Sequence, residues 1–332
     1  MKDKLTGLFN SFNDLNVLII GDVMVDSYLW GNVDRISPEA PVPIVSVSRR
    51  ENRLGGAANV ALNIKSLGAN PILCSVVGDD LKGEEFIQLL KKQQMETLGI
   101  LKSKKRVTTT KFRVIGNNVQ MLRVDEETDK TLSGDDQDNL KNLFLKIIET
   151  KKIDVIIFQD YDKGVLSTDL IKGIVDIANK KDIPISVDPK KKNFSNFKNI
   201  NLFKPNLKEL KEGLNIDFDL GDKDELAVVT GKLKELINPE ITLITLSEDG
   251  VFVDYSDTTG RKTQLIPSHV RSISDVSGAG DTVISVASLC LACKVPPVWL
   301  ASISNLAGGL VCEEVGVVPI NKNQLLEEAR KL

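Results

Sequence analysis

Short apolar runs alternate along the chain with longer segments in which apolar residues recur at helical spacing. The apolar runs predict buried strands at residues 17–20, 71–77, 154–158, 183–187 and 241–246. The periodic segments predict helices at residues 57–67, 83–94, 135–150, 167–180, 206–212, 223–236, 281–293, 297–311 and 322–331. This alternation indicates an α/β fold, a mostly parallel sheet with helices on both faces. Ligands of such sheets bind beyond the carboxyl ends of the strands.

Two stretches interrupt the alternation. Residues 35–53 are extended and rich in proline. Residues 106–125 predict a β-hairpin, because Asn and Gly at 116–118 accept the positive φ of a tight turn. These strands fit poorly in a parallel core, so they predict a small separate sheet, a lid formed from residues of about 26–54 and 104–125. An extension of the main sheet at its edge is the alternative. No repeat or linker is visible, and residues 1–332 are expected to form a single domain with these lid segments inserted.

Composition narrows the classes of function. The 332 residues include 43 Lys and Arg against 46 Asp and Glu, which gives a net charge of −3. A near-balanced chain argues against non-specific binding of nucleic acid and against membrane binding through a basic surface. His269 is the only histidine, which excludes any site with two histidine ligands. We therefore expect neither nucleic acid nor a membrane as a partner.

The sequence predicts no targeting or membrane segment. The first fifteen residues lack the apolar region of a secretory signal. Residues 295–312 carry no charge but include prolines, glycines and polar residues, which favours a buried helix and loop. Four sparse cysteines indicate reduced thiols and a cytoplasmic location. We interpret Cys290 and Cys293, a C-x-x-C pair in an apolar helical run, as core residues; a zinc or redox site is the alternative.

The most informative local segment is Asp275-Val276-Ser277-Gly278-Ala279-Gly280-Asp281-Thr282, which leads into an apolar helix. Its small residues leave backbone N–H groups uncovered at a helix start, where they and the helix dipole can bind a phosphate. Asp281 could take a proton from an attacking hydroxyl while the amides stabilise the transferred phosphoryl group. The alternative is that Asp281 only caps the helix and the glycines form a turn. Neither the dinucleotide fingerprint nor the P-loop is present.

A second glycine segment, Gly55-Gly56-Ala57-Ala58-Asn59-Val60-Ala61, also lies at a predicted helix start. A ligand could approach its backbone closely, and Asn59 could bind hydroxyl groups; tight packing of the helix on the sheet explains the same residues. Asp22 and Asp26 follow the first strand, four residues apart. Carboxylates at a strand end often bind sugar hydroxyls, and simple solvation of a loop is the alternative.

Polar residues after later strands suggest contacts to a nucleotide. Asn206 and Glu209 are three residues apart at a helix start, so both can face one way. The carboxylate could position water bound to Mg²⁺, or the pair could cap the helix. Ser247 and Gly250 lie in a turn after a buried strand, which could contact a nucleotide.

The predicted hairpin contains three basic residues, Lys111, Arg113 and Arg123. Alternation along a strand puts the first two on one face. They are candidates for a clamp on a second phosphate, one that the substrate itself contains. A solvated basic face is the alternative.

These segments occur in an order that resembles the ribokinase-like (PfkB-type) carbohydrate kinase family. The matching pieces are Gly55-Gly56 with Asn59, Asn206-x-x-Glu209, and Gly278-Ala279-Gly280-Asp281. The resemblance covers about residues 12–330. Other segments are similar to the branch of this family that acts on a heptose 7-phosphate; they are residues 21–26, 35–43, 55–61, 111–114, 160–164 and 188–190.

The resemblance implies a ribokinase-like fold and transfer of the ATP γ-phosphoryl group to the C1 hydroxyl of that sugar. In the branch, this step leads to ADP-heptose and the lipopolysaccharide core. Alternatives are a kinase for another sugar phosphate or a nucleoside, or a non-catalytic sugar- or nucleotide-binding regulator. Members of the branch often form the N-terminal half of a bifunctional enzyme. The single histidine excludes the paired-histidine motif of the other half from these residues, so we expect either a stand-alone kinase or an N-terminal half.

The resemblance also implies residue roles. Asp281 would be the catalytic base, and the amides of Gly278, Ala279 and Gly280 would bind the anion. The base needs no raised pKa, because an ordinary Asp is already ionised at neutral pH. The site for ATP and Mg²⁺ would include Asn206, Glu209, Ser247, Gly250 and Asn305, with Glu209 reaching the metal through water. The sugar phosphate would contact Asp22, Asp26, Gly55, Gly56, Asn59, Lys111, Arg113, Arg123, Asp160 and Lys163. A K⁺ ion would lie near Asp275 and Gly316, and two copies would pair as a homodimer through their lids. Ser277, Gln159 and Asp162 depart from the family pattern.

Overall fold

The computed structural model describes residues 2–132, 134–218, 223–269 and 272–332. The strands are β1 (Asn16–Gly21), β2 (Val23–Ile36), β3 (Pro43–Gly56), β4 (Asn70–Gly78), β5 (Ile100–Ser103), β6 (Thr110–Gly116), β7 (Val119–Glu126), β8 (Val155–Gln159), β9 (Ile185–Asp188), β10 (Leu202–Phe203), β11 (Ile241–Thr245), β12 (Val251–Asp257) and β13 (Gly260–Ile266). The helices are α1 (Lys2–Ser11), α2 (Ala57–Ser66), α3 (Leu81–Lys92), α4 (Asp135–Thr150), α5 (Thr168–Lys180), α6 (Leu207–Leu214), α7 (Lys223–Ile237), α8 (Ala279–Ala292), α9 (Pro297–Val311) and α10 (Lys322–Ala329).

Nine strands form the main sheet, in the order β13-β12-β11-β10-β9-β8-β1-β4-β5. Neighbouring strands from β11 to β5 pair in parallel, whereas β12 and β13 pair antiparallel at one edge. The predicted α/β fold with a mostly parallel sheet is therefore confirmed. The hydrophobic pattern does not predict β5, β10, β12 or β13. β10 is only two residues long, and most of β13 is exposed and polar, so neither forms a clear apolar run.

Helices cover both faces of the main sheet and bury two apolar layers. One layer contains residues of α1, α2, α8, α9 and α10, and the other contains residues of α4, α5, α6 and α7. In β1, Val17 and Ile19 belong to the first layer, while Leu18 and Ile20 belong to the second. Alternate residues of a strand point to opposite faces, so a strand covered on both sides must be apolar throughout.

Strands β2, β3, β6 and β7 form a second sheet, the lid sheet, in the order β3-β2-β6-β7. The hairpin of β6 and β7 turns through Asn117 and Asn118, whose φ angles are 51° and 64°. The predicted small sheet is thus confirmed, and the alternative of an extension of the main sheet is wrong. β2 and β3 are each fourteen residues long. β2 begins just after β1, and β3 leads directly into α2, so the lid sheet adjoins the carboxyl end of β1.

The structure also locates the cysteines and the charge-free run. All four cysteines are free, and burial raises the pKa of the Cys74 thiol to about 12. Cys290 is buried in α8. Among the described residues, no cluster of three or more His, Cys, Asp or Glu side chains could hold a metal ion. The charge-free run forms α9, and no helix in the described ranges is long and apolar enough to span a bilayer.

Candidate active site

Polar side chains follow four neighbouring strands of the main sheet at their carboxyl ends. They are Gln159 at the end of β8, Asp188 at the end of β9, Lys204 after β10 and Thr245 at the end of β11. Because these four strands are adjacent and parallel, the side chains form one row along the edge of the sheet. Helix α8 packs against β8 and β9, so its first turn meets this row.

Asp281 lies in that first turn of α8 and is 6% exposed. Its Oδ2 accepts a hydrogen bond from Asn59 Nδ2 at 2.7 Å. Its Oδ1 accepts from the Tyr161 hydroxyl at 2.7 Å and from Gln159 Nε2 at 3.2 Å. The fold thus joins the two glycine segments of the sequence through Asn59 and Asp281. Three donors fix the orientation of this carboxylate.

Burial raises the pKa of Asp281 to about 6, although the hydrogen bonds from Asn59 and Tyr161 oppose the rise. Base catalysis at neutral pH does not require this rise, which follows from burial of the carboxyl group. At pH 7 the carboxylate remains mostly ionised and can accept a proton. A base whose pKa lies close to the working pH suits general base catalysis.

Gly278 shapes the start of α8. Its φ of 82° is a left-handed conformation that favours glycine. A Cβ atom here would come within 3.1 Å of Asn59 Nδ2 and Val317 Cγ1, so glycine also leaves room for Asn59. The amide of Ala279 donates to the Val276 carbonyl at 3.3 Å, and one of the three predicted anion-binding amides is therefore already engaged.

Gly280 lies beside a buried ion pair. A Cβ atom at this position would lie 3.6 Å from Lys204 Nζ and 3.9 Å from Asp188 Oδ2. Lys204 Nζ and Asp188 Oδ2 are 3.1 Å apart, and both side chains are buried. A second pair, between Lys190 and Glu209, lies next along the row of strand ends. The helix N-terminus and the two ammonium groups are donors that a phosphate group can use, although each lysine is paired with a carboxylate.

Asp22 is buried and accepts hydrogen bonds from three backbone amides, those of Tyr161, Lys163 and Val165. Burial raises the pKa of Asp22, and these hydrogen bonds act against the rise. The contacts hold the loop after β8 in place, and this loop positions the Tyr161 hydroxyl on the carboxylate in α8. Gly56, with a φ of 61°, packs against the Asp22 carbonyl, where a Cβ atom would come within 2.4 Å.

Asp26, near the start of β2, is buried and accepts a hydrogen bond from Arg113 Nη1 at 2.5 Å. A Cβ atom at Gly55 would lie 2.4 Å from Asp26 Oδ2, so glycine makes room for the carboxylate. The guanidinium groups of Arg113 and Arg53 lie 5.2 Å and 4.9 Å from the centre of the Tyr28 ring. The lid sheet therefore places a carboxylate and two arginines together.

The other predicted basic residues have acidic partners. Lys111 Nζ lies 3.1 Å from Asp125 and 3.5 Å from Glu127. Arg123 is half-exposed and pairs with Asp125 at 3.0 Å, and Lys163 pairs with Glu127 at 2.7 Å. A phosphate that bound to any of them would have to compete with these carboxylates.

Asp160 lies in a buried polar group away from α8. Its oxygens accept hydrogen bonds from Asn193 Nδ2 at 3.0 Å and from the Asp162 amide at 2.9 Å. Burial and the neighbouring charge of Asp22 raise the pKa of Asp160 to about 7. No described hydrogen bond joins this carboxyl to Asp281.

The predicted nucleotide-contacting residues gather at the far end of the row. Asn206 forms a bridge with Thr245 beside the short 3₁₀ helix Ser247–Asp249. Gly250, with a φ of 92°, follows that helix and packs against the Ile266 carbonyl. Asn305 of α9 donates to the Pro267 carbonyl at 2.9 Å. These contacts place the residues around one corner of the main sheet.

Asn206 and Glu209 form a capping box on α6. Each side chain accepts a hydrogen bond of 2.8 Å from the backbone amide of the other residue. The second oxygen of Glu209 contacts Lys190. Mg²⁺ in phosphoryl-transfer sites keeps several waters and binds the phosphates with one or two carboxylates. The buried Glu209 carboxylate fits that arrangement through water.

Asp275 and Gly316 meet at the loop before α8. Asp275 accepts hydrogen bonds from the Ser277 amide at 2.9 Å and from the Gly316 amide at 3.1 Å. Burial would raise its pKa, but these bonds and the charge of Arg113 hold the pKa below its usual value. An ionised carboxylate between two loops is an oxygen donor that fits a K⁺ ion.

The main groups that sequence reasoning missed are Gln159, Tyr161, Lys190 and Lys204. The resemblance includes Tyr161 and Lys190 without giving them a role, and Gln159 is noted only as a departure. The sequence does contain a signal for these residues, because each of them ends or follows a strand, and ligands of parallel sheets bind at the strand ends. The sequence could not show that these ends are adjacent, because adjacency depends on strand order.

Comparison with known proteins identifies the family. The sequence matches the family described as pfkB family carbohydrate kinase over residues 14–323. The bifunctional protein HldE of Helicobacter pylori (strain G27) is 39% identical over 301 residues, 90% of this chain and 63% of that protein. HldE of Aliarcobacter butzleri (strain RM4018) is 38% identical over 312 residues, 94% and 64% of the two chains. The chain thus spans a little under two thirds of these relatives.

Two solved structures share the fold. Phosphofructokinase-2 from Escherichia coli, in complex with potassium, gives a TM-score of 0.77 at 18% identity, covering 96% of this chain and 98% of that one. Arabidopsis thaliana ribokinase, complexed with ribose and ATP, gives 0.68 at 14% identity, covering 94% and 99%. At these identities the similarity establishes the ribokinase-like fold alone.

A carboxylate held by three donors beside a helix N-terminus and a buried lysine is an arrangement suited to moving a phosphoryl group to a hydroxyl. The match over residues 14–323 covers most of the chain. The chain therefore belongs to the pfkB family of carbohydrate kinases, which are phosphotransferases that act on a sugar hydroxyl.

Proposed function

We propose that this kinase transfers the γ-phosphoryl group of ATP to the C1 hydroxyl of D-glycero-β-D-manno-heptose 7-phosphate. The product would be the 1,7-bisphosphate, on the route to ADP-heptose and the lipopolysaccharide core. The observation that carries the chemistry is the buried Asp281 carboxylate, held by Asn59, Tyr161 and Gln159 beside the start of α8. The sugar assignment is supported by the motif resemblance and by about 39% identity to the HldE proteins.

In this proposal Asp281 acts as the general base. The O–H bond of the sugar hydroxyl breaks and its proton passes to the carboxylate. The oxygen bonds to the γ-phosphorus, and the bond from that phosphorus to the bridging oxygen breaks, with the electron pair leaving on ADP. The free amides in the first turn of α8 and the ammonium of Lys204 stabilise the charge on the phosphoryl oxygens.

Two ions would assist the nucleotide. Mg²⁺ on the ATP phosphates would neutralise part of their charge, with Glu209 contacting its water. K⁺ would lie beside Asp275 and the loop of Gly316. The adenosine of ATP would lie near Ser247, Gly250 and Asn305, at the corner of the sheet beyond Lys190 and Lys204.

The sugar would lie between the start of the lid sheet and α2, in contact with Asp26 and Asn59. Asn59 Oδ1 is buried without a hydrogen-bond partner among the described residues, so a sugar hydroxyl can satisfy it. The 7-phosphate would approach the arginines around Tyr28. Arg113 is the candidate among the predicted basic residues because it lies with Arg53 beside the Tyr28 ring. It pairs with Asp26, as Lys111, Arg123 and Lys163 pair with other carboxylates, so the phosphate would compete with that contact.

We also propose that two copies pair through the lid sheets in the cytoplasm, where ATP is available. By register and alternation, Leu122 and Val124 of β7 share a face with Phe112 and Val114 of β6. Leu122 is 55% exposed and Val124 is 48% exposed, which makes an apolar strip on the lid. Exposed apolar strips of this kind commonly mark protein interfaces.

A side-by-side turnover screen tests the sugar assignment. ADP release is measured with heptose 7-phosphate, fructose 1-phosphate, fructose 6-phosphate, ribose and adenosine, each with and without K⁺. We expect kcat/KM for the heptose 7-phosphate to exceed the others by at least about tenfold. If one of the other compounds is the better substrate, the assignment of the sugar is wrong, but the assignment as a kinase stands. No ADP release with any of them would favour a non-catalytic sugar- or nucleotide-binding regulator.

A further inference from the structure

Gln159 contacts two buried carboxylates with one side-chain nitrogen. Its Nε2 donates to Asp281 Oδ1 and to Asp188 Oδ2, each at 3.2 Å. Gln159 itself is 1% exposed. Because carboxylate oxygens only accept hydrogen bonds, the nitrogen end of the amide must face them. Both N–H groups are therefore committed to the two acidic side chains.

The other end of the same amide is unsatisfied. Gln159 Oε1 is buried and has no hydrogen-bond partner among the described residues. A buried acceptor without a partner lowers stability, and most buried polar atoms in proteins have one. A residue present only to stabilise the core would be expected to avoid this loss. The arrangement therefore favours a role for the nitrogen end in the chemistry of the site.

We propose that Gln159 is a positioning residue for phosphoryl transfer, which orients Asp281 and links it to the Asp188–Lys204 ion pair. The inference rests on the proposed role of Asp281 as the base. Asp188 Oδ2 accepts from Gln159 and also lies 3.1 Å from Lys204 Nζ. The amide thus separates two like charges that would otherwise oppose each other's ionisation.

The ionisable groups around Asp281 come from three strand ends. They are Tyr161 after β8, Asp188 and Lys190 after β9, and Lys204 after β10. The charge of Asp188 adds to the effect of burial and raises the pKa of Asp281, whereas the charge of Lys204 lowers it. Loss of the bridging amide would remove a donor to the ionised carboxylate and expose it to Asp188. The pKa of Asp281 should then rise further.

The variant Gln159→Met keeps the length of the side chain and removes the donors. We expect the pKa of Asp281 to rise by about one unit, equivalent to about 1.4 kcal/mol. Starting from a pKa of about 6, the ionised fraction then falls about fivefold at pH 6 and changes little at pH 8. The ratio of wild-type to variant kcat should follow the same course, with KM for ATP nearly unchanged.

A second readout needs no substrate. The carboxyl resonance of Asp281 is titrated by carbon-13 NMR and identified by its absence from Asp281→Asn. Gln159→Glu is titrated in parallel, because it keeps the shape of the side chain and cannot donate when ionised; its shift should be larger. Gln137→Met is the matched control. Gln137 accepts a hydrogen bond from the Ser167 hydroxyl at 2.7 Å, a contact that includes none of the groups bonded to Asp281, and its replacement should leave the titration unchanged.

The outcomes separate this inference from the choice of sugar. A shifted carboxyl titration supports the role of Gln159 even if heptose 7-phosphate is not turned over. An unshifted titration in a folded Gln159 variant overturns it. So does a loss of kcat that is equal at pH 6 and pH 8, because that pattern indicates general structural damage. If Gln159→Met does not fold, the same two criteria apply to Gln159→Glu.

Discussion

Replacement of Asp281 by asparagine tests the centre of the proposed chemistry. The change removes the proton acceptor and keeps the shape of the side chain. The –NH2 group of the new asparagine would face the –NH2 group of Asn59, because Asn59 Nδ2 contacts Asp281 Oδ2 at 2.7 Å in the wild type. Two donors would then face each other. Asn59 can relieve this by rotating its own amide, because its Oδ1 has no partner among the described residues. We therefore expect the variant to fold.

The loss of activity should be large and the change in stability should be favourable at neutral pH. Removal of a positioned general base costs about 10²- to 10⁴-fold in kcat. In the folded protein the pKa of Asp281 is raised from 3.8 to about 6, so the folded state binds this proton more tightly than the unfolded state. The free energy of unfolding of the wild type therefore falls as pH rises from about 4 to 6, by about 3 kcal/mol from this group.

Three measurements check this prediction. ADP release gives kcat, calorimetric titration gives the affinity for ATP, and urea unfolding at pH 4, 6 and 7.5 gives stability. The variant should bind ATP with the affinity of the wild type. Its free energy of unfolding should not show the fall of about 3 kcal/mol between pH 4 and 6 that Asp281 causes in the wild type. Asp169→Asn is the control, since Asp169 is an exposed acid in the first turn of another helix. A kcat within about threefold of wild type would refute the assignment of Asp281 as the base.

Three further predictions concern other parts of the site. Lys204→Met leaves the buried Asp188 carboxylate without its cation, so the free energy of unfolding in urea should fall by about 3–5 kcal/mol. The double variant Lys204→Met/Asp188→Leu should recover the stability but not the turnover. Asp275→Asn should abolish stimulation by K⁺, measured as the ratio of rates with and without the ion; an unchanged ratio would exclude this position. If two copies pair through the lid sheets as proposed, Leu122→Lys should give a monomer in size-exclusion chromatography with an unchanged circular dichroism spectrum. A dimer that persists would place the interface elsewhere.

The sequence predicts the repetitive part of the fold well because burial on both faces of a sheet requires continuous apolar runs. β1 and β8 are such runs, and α5 is a strongly amphipathic helix with Ser167 as its cap. The antiparallel hairpin of β12 and β13 escapes the same reasoning because its outer strand is polar. The small residues at 278–280 predict an anion site because their local chemistry is independent of distant contacts.

Other features of the site depend on contacts that no local pattern encodes. Gln159 and Asp281 are 122 residues apart in sequence, and only strand order and the packing of α8 bring them together. The raised pKa of Asp281 follows from burial, which spacing does not reveal. Asp22 and Asp26 look equivalent in the sequence. In the structure Asp22 accepts hydrogen bonds from three backbone amides, whereas Asp26 accepts one from an arginine side chain.

The direct run of β3 into α2 has a mechanical consequence. Gly56 ends the strand and Ala57 begins the helix, with no flexible spacer between them. Asn59, two residues after Ala57, donates a hydrogen bond to the Asp281 carboxylate. A movement of β2 and β3 would therefore move the start of α2, and with it the Asn59 side chain that orients Asp281. Closure of the lid sheet over a sugar and orientation of the Asp281 carboxylate would then be coupled in one movement.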